Sequence, residues 1–153
     1  MSSLHPGQIS REEAEAHIAP GKILYLNVMF PHESIANDKY FVVVGFHDRP
    51  LLLKINSENR MSQNNKRMRE HQFRLESSQY AFLQYDSYLD CGRVWYMLSL
   101  EEIVSQLIQE PEKRIIGQIS KEHENEVVRL VNRSGSVGPI HRRCVTQAFH
   151  RDS

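Results

Sequence analysis

Three apolar runs rich in β-branched and aromatic residues crowd into positions 22–55, and they constrain the fold more than anything else in the chain. Residues 22–30 alternate in part, with Ile23, Tyr25, Asn27 and Met29 on one face and Leu24, Leu26, Val28 and Phe30 on the other. Residues 40–46 are almost continuously apolar, the pattern of a strand buried on both faces. Residues 51–55 form the third run, and Asp48-Arg49-Pro50 before it predicts a tight hairpin link. Residues 31–38 read instead as a true loop.

Helix signals lie outside these runs. Ser10 with Glu13, and Ser99 with Glu102, each predict a capping box, in which serine and glutamate each satisfy a free backbone N–H. The first helix ends near His17, before Pro20-Gly21, and with Ile18 as its one strong apolar residue it reads as a surface helix. The second carries an apolar stripe of Leu100, Ile103, Val104, Leu107 and Ile108, and stops at Pro111. A third begins at Ser120 and runs to about Asn132, with Gly135 beyond it. Residues 72–75, 88–90, 93–97 and 113–119 read as short strands. The fold class expected is mainly β with peripheral helices (α+β), a small curled barrel with helices over its open ends. The domain reading is an N-terminal helical extension (1–19), a barrel domain (20–138) and a basic C-terminal tail (139–153).

Composition narrows the function classes. The 153 residues carry 19 basic and 19 acidic side chains, which argues against a strongly basic nucleic-acid coat or an acidic tail protein. That neutrality conceals one basic excursion: from Asp48 to Arg74 there are seven basic residues and three acidic ones. No apolar run reaches the roughly 18 residues of a membrane span, and the N-terminus lacks a signal-peptide pattern. The expectation is a soluble, cytoplasmic protein. Cys91 and Cys144 form neither a zinc motif nor a disulfide framework, and the eight histidines show no H-x-x-x-H spacing, so neither metal nor cofactor is expected.

One pairing of loops carries the chemistry. Lys39 opens the second run and Ser57 follows the third, so a hairpin of the two sets an ammonium and a hydroxyl at one rim, with His32 and Glu33 in the adjoining loop. Such a pair can hold a phosphate and stabilise a pentacoordinate phosphorane. The alternative is a solvated hairpin end. Arg60, Lys66, Arg67 and Arg69 follow Ser57 and suit phosphate-backbone contact, although charge runs are more often simply hydrated.

The order of elements resembles the MazF/PemK-like toxin family. The first three runs are similar to its opening strands and substrate loop. Asp86-Ser87-Tyr88-Leu89-Asp90-Cys91-Gly92-Arg93-Val94 resembles a later strand pair of that family, and Lys113-Arg114-Ile115-Ile116-Gly117-Gln118-Ile119-Ser120 its "R-I-G-x-L-S" strand and cap. The resemblance spans about residues 20–138. It implies an SH3-like barrel of the MazF/PemK type, usually a homodimer, that cleaves single-stranded RNA without metal and pairs with a cognate antitoxin. Under it Ser57 takes the family's hydroxyl position and Lys39 that of an arginine. The family's arginine–proline pair is absent here, Tyr40 following Lys39; Arg49 and Arg60 are the candidates to supply a guanidinium. A non-catalytic module binding RNA or a protein on the same barrel is the competing expectation.

Overall fold

The computed structural model describes residues 7–57 and 70–150. The three apolar runs become a meander of β1 (Lys22–Val28), β2 (Asn37–His47) and β3 (Arg49–Asn56), each pair antiparallel. The link between β2 and β3 is a single residue, Asp48, at φ +63°. Aspartate tolerates that left-handed conformation better than most side chains. Two more strands, β4 (Gln72–Leu75) and β5 (Ser87–Asp90), extend the sheet beyond β3, while β6 (Ile115–Gln118) pairs with β1 on the other side. The order is β4-β5-β3-β2-β1-β6. The sheet curls into half a barrel.

Both faces of the sheet are covered, as the continuous apolar pattern of β2 requires. Phe41 and Val43 point into one core, with Leu24, Leu26, Val28 and Leu52; Val42 and Val44 point into the other, with Ile23, Leu51, Leu53 and Leu89. Each large side chain removed from water in this way contributes about 1.5–3 kcal/mol. The first core is closed by α2 (Leu100–Gln109) through Ile103, Val104 and Leu107, behind a complete Ser99–Glu102 capping box. The second is closed by α4 (Lys121–Arg133) through Val127, Leu130 and Val131.

Five expectations change. The first helix, α1 (Arg11–Ala16), is not a bare surface helix: Ala14 and Ile18 are buried in the α2-side core, and Arg11 pairs with Glu101 of α2. Only half of its capping box forms, Ser10 Oγ accepting from Glu13 N at 3.1 Å. Segment 93–97 is reduced to one bridge, Trp95 with Leu52, because Gly92 N turns back onto Asp90 Oδ1 and interrupts the ladder after β5. The strand expected over 113–119 starts only at Ile115; Pro111 opens a turn of helix, α3 (Pro111–Arg114), before it. Lastly, the supposed tail contains α5 (Pro139–Phe149), which buries Val145 in the α4-side core. Among the described residues no helix is long and apolar enough to cross a membrane.

Candidate functional site

The rim where β2 begins and β3 ends opens into a cleft of about 600 Å³. Lys39 and Ser57 both line it, with Lys54, Tyr25, Tyr40 and Phe82. The register explains the meeting: Phe41 lies opposite Lys54, which carries Lys39 to the level of Asn56, beside Ser57. Strand alternation then divides the groups. Lys39 and Lys54 share the face of Phe41 and Leu52, whereas Tyr25 and Tyr40 share the face of Ile23 and Val42. The cleft therefore wraps around a sheet rim with cations on one lip and aromatic rings on the other.

The aromatic lip is built by local sequence. Tyr25 and Tyr40 are cross-strand partners with ring centroids 4.3 Å apart, and Phe82 lies 4.8 Å from Tyr40. Phe82 is held there by the loop between β4 and β5. Ser77 N donates to Asp86 Oδ1 across the loop at 2.9 Å. The buried Tyr80 hydroxyl accepts from Ser120 N and lies 2.6 Å from His123 Nδ1, which fastens the loop to the start of α4. Burial, with Tyr25 nearby, pushes the Tyr40 phenol up and keeps it neutral.

The cationic lip is less ordinary than two surface lysines. Lys54 is partly buried, and its Nζ sits 4.7 Å from the centre of the Phe30 ring. Desolvation lowers its pKa, and the neighbouring Lys39 charge adds to that effect; Asp90 and Glu33 oppose it. Asp38, the one carboxylate among the described residues lining the cleft, is already engaged. It accepts from Arg114 Nη1 at 2.6 Å, from Asn27 Nδ2 at 3.0 Å, and lies 3.2 Å from Lys113 Nζ. The Arg114 guanidinium, helped by Asn27 and Lys113, holds the Asp38 carboxyl down at about 2 against the effect of burial. Asp38 is thus a weak base, and the two lysines dominate the field at the rim.

The remaining sequence candidates are scattered. His32 is exposed in the β1–β2 loop and does not line the cleft. Arg49 starts β3, at the end opposite Ser57, where it donates to the Met97 carbonyl at 2.8 Å and lines a separate cavity of about 860 Å³ beside Arg93 and Trp95. A residue at the far end of an eight-residue strand cannot join the Lys39 rim without breaking the hairpin. Arg60, Lys66, Arg67 and Arg69 lie outside the described residues. Lys54 and the aromatic lip are not among the candidates that the sequence offers. Lys54 had a signal, since it is the lone charge in an otherwise apolar strand run; the aromatic lip had none, because it joins three elements distant in sequence. Neither a protein-family model nor a curated protein sequence matches this chain.

Proposed function

We propose that the protein is a metal-independent endoribonuclease that binds single-stranded RNA at this rim cleft, on an SH3-like barrel of the MazF/PemK type. The observation carrying this reading is the convergence of Lys39, Lys54, Ser57 and an aromatic row in one cleft. A single strand needs cations for its phosphates and ring faces for its unstacked bases, and the two lips offer one of each. In the reaction the substrate 2′-hydroxyl attacks the adjacent phosphorus. The Ser57 hydroxyl and Lys39 ammonium donate to the phosphoryl oxygens as charge develops, and the products are a 2′,3′-cyclic phosphate and a 5′-hydroxyl. The curled antiparallel sheet capped by helices is compatible with that barrel type. A homodimer and a cognate antitoxin belong to the same proposal.

The test is digestion of a labelled single-stranded oligoribonucleotide by the purified chain in EDTA, with the product termini identified. Wild type is expected to leave cyclic-phosphate ends, and Ser57→Ala to slow cleavage about 10²-fold, the usual effect of losing one donor to a developing oxyanion. Intact RNA after prolonged incubation with excess protein would remove the nuclease reading. A second reading, RNA binding without cleavage, is favoured by one observation: Asp38 is locked in an ion pair, and no imidazole lines the cleft among the described residues. Its signature is undiminished RNA affinity with no product.

A further inference from the structure

We propose that Lys54 is the general acid of this site, delivering its ammonium proton to the 5′-oxygen that leaves. The inference rests on the endoribonuclease reading above, and it assigns a proton-transfer group that the Lys39–Ser57 pair lacks. Cleavage moves one proton overall from O2′ to O5′. As the O2′–P bond forms, the 2′-hydroxyl proton passes to water; as the P–O5′ bond breaks, O5′ takes a proton from Lys54, and the resulting amine regains one from solvent. Atoms and charge balance with no other reactant.

Among the described cleft residues, Lys54 is the one whose surroundings suit the task. Ser57 is exposed at the strand end, and an alcohol is a poor acid near neutral pH. Asp38 is held ionised by Arg114. Tyr40 is neutral and its proton is held more tightly than usual. Lys54 is partly withdrawn from water on the Phe30 ring while still lining the cleft. The charged groups around it are Lys39 on β2, Arg93 after β5, Asp90 on β5 and Glu33 in the β1–β2 loop. Burial and the two cations make its proton easier to release than that of an exposed lysine, which is the direction general-acid catalysis near neutral pH requires. Asp90 is itself buried and its carboxyl is pushed up by desolvation.

The deciding experiment compares two oligonucleotides with a single cleavable ribose, one with the natural 5′-oxygen leaving group and one with a bridging 5′-sulfur. Thiolate leaves without a proton. Under single turnover, Lys54→Ala should slow cleavage of the oxygen substrate by about 10²–10⁴-fold and leave the sulfur substrate within about threefold of wild type. Lys54→Arg, which keeps the charge should the alanine variant fail to fold, should be slow on oxygen and normal on sulfur. The wild-type rate on the oxygen substrate should fall as pH rises through a pKa below the ordinary lysine value of 10.5. That limb should vanish in Lys54→Arg. Equal slowing on both substrates would make Lys54 a binding or structural group and overturn the assignment, as would unchanged cleavage of the oxygen substrate. Wild type that cuts neither substrate overturns the nuclease reading and the acid with it. Wild type that cuts both while Lys54→Ala matches it overturns the acid alone.

Discussion

Asp38 sits where β2, α3 and β1 meet, and three residues compete for its two oxygens. Arg114 is almost fully buried, and it also bonds Glu110 at 2.9 Å and the Tyr25 carbonyl at 3.3 Å. A buried guanidinium left without its anion is costly, so this pair should matter more to stability than the exposed ion pairs elsewhere. Because the folded pKa of Asp38, about 2, lies below its ordinary 3.8, its stabilising contribution is complete above about pH 5 and is lost as pH falls toward 2. Asp38→Asn should therefore cost about 2 kcal/mol at neutral pH. The gap to wild type in urea denaturation should narrow steadily between pH 5 and 2; a gap independent of pH would show that the charge is not what stabilises. Cys91 makes a contrasting case. It is fully buried, and desolvation, with Asp90 nearby, raises its thiol pKa. Native protein titrated with a thiol reagent should react at no more than one site, Cys144, with Cys91 appearing only on unfolding.

Among the elements, α5 is the one whose worth is easiest to underestimate. Its apolar residues show little periodicity and its arginines are conspicuous, so in sequence it resembles a basic tail, although Cys144, Val145 and Phe149 pack in or against the core. In the fold it lies against both β2 and α4, where Asn132 Nδ2 donates to Thr146 Oγ1 at 2.9 Å. The approach to β2 is close. A Cβ at Gly45 would stand 3.3 Å from the Cys144 carbonyl oxygen, which gives that glycine a packing role beside the irregular register between Val43 and Gly45. Deleting residues 139–153 uncovers part of the α4-side core. The truncated chain is expected to melt about 10 °C or more below wild type, since each kcal/mol lost shifts the midpoint of a domain this size by about 2–4 °C. An unchanged melting temperature would mean that α5 adds nothing to the fold. The strands, by contrast, were legible to within a few residues, because alternation and continuity of apolar side chains report burial directly. Segment 93–97 departs from its apolar pattern, which is real, because the Asp90 carboxylate accepts from Gly92 N and turns the chain out of the ladder.

At the scale of the whole molecule, net charge is zero, so no long-range field draws a polyanion to the surface as a whole. Binding at the rim must depend on local cations. In the proposed complex, each lysine–phosphate contact should contribute about 0.7 to the negative slope of log affinity against log salt for a single strand. Lys39→Gln is expected to flatten that slope by about this amount, measured by fluorescence anisotropy with a non-cleavable deoxy-substituted strand. A slope unaltered by the substitution would place the phosphates elsewhere.

Sequence by itself determined the local parts: that the three runs within residues 22–55 are strands, where serines start helices, and that Lys39 and Ser57 share a rim once the second and third runs pair. These follow from neighbours a few positions apart, where backbone geometry leaves little choice. Tertiary structure alone decided that Lys54 would be half withdrawn onto Phe30, that Asp38 would be silenced by Arg114 from 76 residues away, and that Phe82 would complete an aromatic lip begun by Tyr25 and Tyr40. Burial and electrostatic environment are set by groups that approach only when the sheet curls, and no pattern confined to one segment encodes them.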